Sequence, residues 1–254
     1  MSTYAFVKGH GTENDFVIVP EDVELTAERV RALCDRRAGI GGDGVIRAAH
    51  RDGRWFMDYW NSDGSTSEMC GNGIRVFARY LMSEMGVLPE PLEIDTRDGV
   101  KTVSPDGGLF TVDMGRPEVL GPTTVEVEGR RYAATHVSIG NPHAVVFVDE
   151  LSEAGPLLEA PGVDAELFPD GVNVEFVVRR PEGGLVMRVH ERGSGETRSC
   201  GTGACAAVVA ALDGPGAGRD IEVPGGRLTV TWTEEDRVLL TGPAVLVAWG
   251  TTTL

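Results

Sequence analysis

Short apolar runs, each ended by a turn rich in glycine or proline, recur along the whole chain. Runs of this length between turn residues are typical of short β-strands. The clearest of them cover residues 6–7, 16–19, 45–46, 109–112, 145–148, 174–178 and 228–232. Because they occur in both halves of the chain, the pattern predicts a protein in which β-sheet predominates throughout.

Helical spacing of apolar residues appears between these runs, and we expect two helices in each half. In the first half, one helix follows Thr26, a typical N-cap residue, and another follows Cys70 and stops near Gly86. In the second half, residues 204–212 are apolar almost all round. A helix without a polar face is a buried helix, so this segment is expected at the centre of its domain. Strands and helices together predict an α+β fold.

Several segments of the first half recur in the second half at a constant separation of 127 residues, as from residue 14 to residue 141. The matching pairs are 14–19 with 141–146, 43–45 with 170–172, 94–99 with 221–226, and Gly115 with Gly242. The Cys-Gly-x-Gly motifs that begin at Cys70 and Cys200 are 130 residues apart, which a small insertion explains. The chain therefore reads as an internal duplication with two homologous domains, residues 1–118 and 119–243.

Charge and composition narrow the range of functions. The chain has 39 acidic and 23 basic residues, a formal net charge of −16, which disfavours nucleic-acid and membrane partners. No apolar run approaches the roughly 20 residues of a membrane helix, and the N-terminus lacks a signal-peptide pattern. We therefore expect a cytoplasmic protein with free cysteines. Lys8 and Lys101 are the only lysines, which disfavours pyridoxal phosphate chemistry; no cofactor and no metal are expected.

The repeated motif places Cys70 and Cys200 at predicted helix starts. The free N–H groups and the partial positive charge of a first helical turn lower the pKa of a thiol and bind carboxylates. Two such motifs around one carboxylate would place a thiol on each side of its α-carbon. This arrangement suits removal of a proton from one face of that carbon and return of a proton to the other.

Other uses of the cysteines stay open at this point. A zinc site is a rival, although neither motif has the Cys-x2-Cys spacing of structural zinc, and a redox dithiol or a non-catalytic anion site are others. Cys34 and Cys205 lie in apolar helical patterns and are expected in the core. The side chains of Arg75, Arg79 and the acidic segment 234–236 are expected to be solvated.

Beyond this point the residues resemble the diaminopimelate epimerase family. The matching segments are residues 8–16 (KGHGTENDF), 61–64 (NSDG), 68–73 (EMCGNG), 140–143 (GNPH), 172–176 (VNVEF), 191–197 (ERGSGET) and 200–205 (CGTGAC). They cover nearly the whole chain in one order. Proline racemases share the fold but usually have histidine where this chain has Asn72.

The resemblance implies a cofactor-independent, two-base epimerase that interconverts LL- and meso-diaminopimelate for lysine and cell-wall precursors. It implies two homologous domains, each a β-barrel-like sheet around a central helix, with the active site in the cleft between them. The last strand, residues 244–254, would complete the first domain. The partners implied are a small-molecule diamino diacid substrate and a second copy of the chain in a homodimer.

The resemblance also implies roles for individual residues. Cys70 and Cys200 match the catalytic base and acid, and His143 and Glu191 match catalytic positions that tune the thiols and hold the α-amino group. The positions that match substrate-binding residues are Asn14, Asn61, Gly71, Asn72, Asn141, Asn173, Glu191, Arg192, Gly201 and Thr202.

This sequence departs from the family pattern at three places. Glu13 stands where many relatives have glycine, and Gly44 stands where some relatives have a glutamine that contacts the substrate. The segments around 151–168 and 212–219 are short. These departures leave open an epimerase or racemase of another amino acid on the same scaffold.

Overall fold

The computed structural model describes residues 3–88 and 90–254. It divides into two compact units, Met1–Val112 with Gly242–Leu254 and Asp113–Thr241. The domain boundaries near residues 118 and 244 that the sequence suggests stay a prediction. The two units are called the first and the second unit below, and each is described by itself.

Strands predominate in the described residues, as the sequence predicts. The strands are β1 Tyr4–Gly11, β2 Asn14–Pro20, β3 Gly44–Arg51, β4 Arg54–Asn61, β5 Leu92–Thr96, β6 Gly99–Asp106, β7 Leu109–Gly115, β8 Glu118–Val127, β9 Arg130–Ser138, β10 Pro142–Phe147, β11 Gly162–Val163, β12 Asn173–Arg179, β13 Leu185–Glu191, β14 Gly195–Thr197, β15 Ala217–Val223, β16 Gly226–Trp232, β17 Val238–Pro243 and β18 Val245–Thr252. The helices are α1 Ala27–Cys34, α2 Gly71–Glu84, α3 Gly201–Ala211 and the 3-10 helix Leu151–Ala154.

The sheets of both units follow one pairing scheme. In the first unit β18, β1, β2, β3, β4, β5, β6 and β7 pair in that order, with parallel pairs at β2–β3 and β4–β5. In the second unit β8, β9, β10, β12, β13, β15, β16 and β17 pair in the same order, with parallel pairs at β10–β12 and β13–β15. Strand β18 thus pairs with β1 as β8 pairs with β9. The repeated order and directions support the predicted duplication.

The strand registers correct part of the sequence alignment of the halves. Strand β2 pairs Phe16 with Gly44, and the equivalent strand β10 pairs His143 with Asn173. Gly44 is therefore equivalent to Asn173, 129 residues later, and not to Gly171 as the alignment at 127 predicts. The insertion in the second half thus begins before β12. A similar shift of one residue near β17 removes the match of Gly115 with Gly242, because Val103 pairs with Val112 as Val230 pairs with Leu240.

The same registers make Asn61 and Glu191 equivalent. Asn61 ends β4 opposite Gly44. Glu191 ends β13 one step beyond the pair formed by Val174 and His190, and therefore stands opposite Asn173. Equivalent positions in the two units thus carry a neutral amide and a carboxylate.

One long helix lies against the sheet of each unit. Helix α2 contacts β1, β2, β3, β4, β6 and β18, and α3 contacts β9, β10, β12, β13, β15 and β16. Most side chains of α3 are fully buried, among them Cys205. The predicted central position of this apolar helix is confirmed, and so is the core position of Cys205.

The smaller helices fit the sequence prediction only in the first unit. Thr26 caps α1, and its Oγ1 accepts a hydrogen bond of 3.2 Å from the N–H of Arg29. Cys34 ends this helix with its side chain buried, and burial raises the pKa of its thiol to about 12. The expected second α-helix of the other half is absent from the described residues, where only the 3-10 helix Leu151–Ala154 occurs. It ends at Gly155, whose φ of 63° is incompatible with a continuing right-handed helix.

No helix among the described residues is long and apolar enough to cross a membrane.

Candidate active site

The central helix of the first unit begins at a cysteine. Cys70 is the N-cap of α2, and its Sγ accepts a hydrogen bond of 3.4 Å from the N–H of Gly73. The same sulfur lies 3.7 Å from Oδ1 of Asn14 on β2. The helix start therefore holds the Cys70 sulfur at the end of the sheet from which Asn14 projects.

A directed hydrogen-bond chain runs beside Cys70. Arg75 donates from Nη2 to Oδ1 of Asn72 at 2.9 Å, and Asn72 donates from Nδ2 to Oδ1 of Asn14 at 3.2 Å. Asn14 in turn donates from Nδ2 to a carboxylate oxygen of Asp43 at 2.8 Å. A cation at one end and a carboxylate at the other orient both amides in one direction. The predicted site residues Asn14 and Asn72 are thus held together with Cys70.

The expectation that Arg75 is solvated is wrong. Its side chain is fully buried, and its Nη1 donates to the carbonyl of Gly71 at 2.9 Å. The guanidinium therefore binds the carbonyl and amide oxygens of the first turn of α2, which have no access to water there. Arg79, four residues further along the same helix, is partly exposed.

An ion network fixes the far end of the chain. Arg36 bridges Asp15 and Asp43 with two contacts of 2.7 Å, and Lys8 contacts Asp15 at 2.7 Å. Burial alone would raise the pKa of Asp15, but hydrogen bonds and charge from Arg36 and Lys8 lower it to about 2. Asp43 therefore accepts from Asn14 inside a network with two basic side chains.

Asn61 and Gly44 lie at the edge of this region. Asn61 ends β4 and donates from Nδ2 to Oγ of Ser65 at 3.0 Å. A Cβ at Gly44 would come within 2.5 Å of the carbonyl of Trp60 and 2.6 Å of the Tyr59 ring. The backbone and the tyrosine occupy the space that a side chain at residue 44 would need.

The central helix of the second unit begins in the same way. Cys200 is the N-cap of α3, and its Sγ accepts a hydrogen bond of 3.4 Å from the N–H of Gly203. Oγ1 of Thr202 lies 3.5 Å from the same sulfur. The N-terminal residues of α3, Gly201 and Thr202, thus surround the buried thiol as Gly71 and Asn72 follow Cys70.

The expected low pKa does not hold for Cys200 in the free protein. Burial, followed by the charge of the nearby Glu191 carboxylate, raises the pKa of this thiol, and the bonds from Thr202 and Gly203 only partly oppose the shift. Burial also raises the pKa of Glu191, although this carboxylate accepts hydrogen bonds from Thr197 and Cys200. The Cys200 thiol is therefore protonated at neutral pH and directs its proton to Glu191.

His143 is buried beneath this helix start. Its Nδ1 lies 2.7 Å from Oε1 of Glu175 on β12, and its Nε2 lies 3.0 Å from Oδ1 of Asn141. Asn141 donates from Nδ2 to Oγ1 of Thr202 at 3.3 Å. The predicted residues Asn141, His143, Thr202 and Cys200 therefore form one continuous hydrogen-bonded group.

Asn173 and Arg192 form a separate contact in the second unit. Oδ1 of Asn173 accepts a hydrogen bond of 2.8 Å from the backbone N–H of Arg192, and its Nδ2 lies 3.4 Å from the carbonyl of Pro142. The side chain of Arg192 is exposed. Asn173 thus uses its side chain to hold the turn that follows β13.

Sequence reasoning missed Arg75 and Glu175 as parts of this region. Each is a charged residue inside an otherwise apolar stretch, Arg75 within a buried helix and Glu175 between Val174 and Phe176. A charge in such a stretch is the signal that could have found them, because buried charges require specific partners. No cluster of three or more metal-binding side chains occurs in the described part of the chain.

Comparison with known proteins agrees with the duplicated architecture. Solved structures with the same fold include a PhzF-family phenazine biosynthesis protein of Bacillus anthracis (TM-score 0.73, 18% identity, all of both chains). They also include a hydroxyproline epimerase of Agrobacterium vitis with bound trans-4-hydroxy-L-proline (TM-score 0.70, 17% identity, 98% of this chain and 92% of that one). The predicted fold class, two homologous α+β domains, is confirmed.

Sequence comparison identifies the family. The sequence pattern of diaminopimelate epimerase matches residues 6–120 and 135–247. The diaminopimelate epimerase of Streptomyces coelicolor is 52% identical over 98% of this chain and 96% of its own length, and that of Rhodococcus jostii is 45% identical over 97% and 96%. The chain belongs to the diaminopimelate epimerase family.

We predict that Arg75→Met lowers the free energy of unfolding by about 1–3 kcal/mol, because buried oxygens of Gly71 and Asn72 lose their donor. Arg79→Met on the same helix is the matched control and should change it by about 0.5 kcal/mol or less. Urea denaturation measures both variants. Equal, small effects would show that the buried guanidinium does not support the start of α2.

We predict that Asp15→Asn destabilises the protein near neutral pH. The pKa of Asp15 is about 2 in the folded protein, below its ordinary value of 3.8. Its stabilising effect, at most about 2 kcal/mol, is therefore complete above about pH 4 and disappears as the pH falls toward 2. Urea midpoints of variant and wild type should converge over this range, whereas those of the exposed control Asp22→Asn should stay close to wild type throughout. A difference that persists to pH 2 would contradict the ionic origin of the effect.

Proposed function

We propose that this protein interconverts LL- and meso-diaminopimelate, with Cys70 and Cys200 as its two bases. The observation that carries the proposal is the occurrence of the same thiol cap at the central helix of each duplicated unit. The family supports the reaction and the substrate, since relatives up to 52% identical are diaminopimelate epimerases. In this role the protein supplies lysine and cell-wall precursor biosynthesis.

The protonation of the thiols assigns their first roles. Cys200 is protonated in the free protein, so it is the proton donor in the turnover that starts from this state. Cys70 is then the base: its thiolate takes the α-proton from one face of the carbon, and Cys200 returns a proton to the other face. When the reaction runs in the opposite direction, Glu191 accepts the Cys200 proton through the hydrogen bond already present.

The substrate carboxylate at the reacting carbon binds to the helix starts. The N–H groups of Gly71, Asn72, Gly201 and Thr202 lie in first helical turns, where free donors and the helix dipole favour an anion. The same groups stabilise the negative charge that develops on the carboxylate when the α-proton leaves.

The remaining polar residues hold the rest of a diamino diacid. The amides of Asn14, Asn61, Asn141 and Asn173 provide donors and acceptors for ammonium and carboxylate groups. Arg192 has an exposed guanidinium suited to a distal carboxylate. We further propose that the protein is cytoplasmic and forms a homodimer, which light scattering tests.

The crowded surroundings of Gly44 favour a second candidate within the same reaction class. Because Tyr59 and Trp60 occupy the space beside Gly44, a substrate contact by a side chain at that position is lost. An amino acid with a different distal group is therefore the alternative substrate.

The decisive test of the substrate is solvent deuterium exchange. Incubation of the reduced protein with LL-diaminopimelate in heavy water, without added cofactor, should incorporate one deuterium at Cα and yield the meso isomer. NMR and chiral chromatography measure both products. Absence of exchange with LL- and meso-diaminopimelate, together with exchange of another amino acid, would transfer the assignment to that substrate.

The two-thiol mechanism predicts that Cys70→Ala and Cys200→Ala each lower kcat by about 10³-fold or more, since each removes one of the two proton-transfer groups. Cys34→Ala is the control, because this thiol is buried in the core of the first unit. Circular dichroism confirms folding of each variant. Substantial epimerisation by either single variant would contradict the mechanism.

A further inference from the structure

The buried Glu175 is a carboxyl group for which the proposed reaction has no role. Its side chain is fully buried on β12, and Oε1 lies 2.7 Å from Nδ1 of His143. The other oxygen, Oε2, has no hydrogen-bond partner among the residues that the structure describes. A full negative charge on this oxygen would be costly because burial without a partner removes its solvation.

The geometry of the neighbours sets the position of the protons. Asn141 directs its amide nitrogen to Thr202, so its oxygen faces Nε2 of His143 and requires a donor there. Nε2 must therefore carry a proton. Nδ1 then either carries a second proton that it donates to a Glu175 carboxylate, or accepts a proton from a Glu175 carboxylic acid. In both forms the pair of His143 and Glu175 has no net charge.

The proton on Nε2 gives the whole chain one direction. His143 donates to Asn141, Asn141 donates to Thr202, and the Thr202 hydroxyl is free to donate to the Cys200 sulfur. Cys200 in turn hydrogen-bonds to the Glu191 carboxylate. If His143 instead carried its only proton on Nδ1, the Asn141 amide would turn over and Thr202 would donate away from the sulfur. The state of the buried pair therefore decides whether the thiolate receives the threonine donor.

Glu175 is also packed against the helix start itself. A Cβ at Gly203 would come within 2.6 Å of Oε1 of Glu175, so only glycine leaves room for the carboxyl group beneath Cys200. By the strand registers, the equivalents of His143 and Glu175 in the first unit are Phe16 and Ile46. The pair is therefore an addition to the second unit and not part of the duplicated framework.

We infer that Glu175 is a positioning residue for the proposed reaction: it keeps Nε2 of His143 a donor, and through Asn141 and Thr202 it aims a hydroxyl hydrogen bond at the Cys200 sulfur. The inference rests on the proposed function. The titratable groups around the chain are Glu191 on β13, His136 on β9, and the pair itself on β10 and β12; β15 and β16 present the buried apolar Ile221, Leu228 and Val230.

The test compares Glu175→Gln with Glu175→Met. Glutamine can donate from its amide to Nδ1, which leaves Nε2 protonated and the chain directed as before. We expect E175Q to keep kcat within about threefold. Methionine has a similar size but no donor, so we expect kcat to fall about 10- to 100-fold through misorientation, with KM changed less than about threefold because Glu175 does not touch the substrate. Glu126→Gln, an exposed carboxylate on β8, is the control.

A second measurement reads Cys200 directly. In a Cys70→Ala background, the rate of alkylation of Cys200 by iodoacetamide is followed against pH, with mass spectrometry to assign the site. A pair without net charge predicts that E175Q leaves the pH midpoint within about 0.3 of the Glu175 protein, whereas loss of a full buried negative charge would lower it by about 1 or more.

Three results would overturn the inference: wild-type kcat in a folded E175M, a loss of kcat in E175Q as large as that in E175M, or a midpoint lowered by about 1 in E175Q. If E175M does not fold by circular dichroism, the kcat and the midpoint of E175Q carry the test. The alkylation measurement needs no substrate. A failure of diaminopimelate turnover by the wild-type protein is therefore distinct from a failure of this inference.

Discussion

The structure depends on a weak cap at a strategic place. Both long helices begin at a cysteine, whose sulfur accepts a hydrogen bond of 3.4 Å from the third residue of the helix. Sulfur is a weak acceptor compared with the oxygen of serine, threonine or aspartate, the usual N-cap residues. Burial of each helix against six strands compensates for the weak cap. The helix start is thereby held by the sheet, and the thiol is available for chemistry.

The two units use one framework for different electrostatic environments. The framework places Arg75 and Cys205 at equivalent helix positions, five residues after the capping thiols, and it places Asn61 and Glu191 at equivalent strand ends. The first unit has a buried cation near its thiol, whereas the second has a carboxylate in contact with its thiol. A cation favours a thiolate and a carboxylate opposes one. Duplication thus supplied matching backbones, and substitutions at a few buried positions made the two thiols unequal.

Much of the framework was predictable because its signals are local. Strand runs end at turns, Thr26 caps α1, and the apolar α3 has no polar face to expose. The cysteine motif stood out because it occurs twice. The alignment of the halves was less reliable around 43–45 and 170–172, because short glycine-containing triplets match by composition and only strand pairing shows which residues are equivalent. The 3-10 helix of the second unit was missed since Gly155 and the prolines after it leave no room for a full helix.

The buried polar residues were beyond the reach of periodicity. Arg75 looked solvated because arginine usually is, and only the oxygens of Gly71 and Asn72 explain why it is not. Glu175 was read as part of a family motif and not as a partner of His143. Hydrogen-bond direction also depends on which atoms meet across strands 30 or more residues apart in sequence, as His143 and Glu175 do. Such pairings follow from register, which one-residue shifts change completely.

The raised pKa of Cys200 is consistent with a role in carbon-acid chemistry. An α-proton next to a carboxylate is very weakly acidic, so a base that removes it must be strong, and a thiolate is a stronger base when its conjugate acid has a higher pKa. The difficulty lies in forming such a thiolate in a buried site. Donors from Gly203 and Thr202 that already point at the sulfur reduce this cost, because they need not reorganise when the proton leaves. Burial therefore makes the thiolate reactive, and the directed chain beneath it makes the thiolate accessible during turnover.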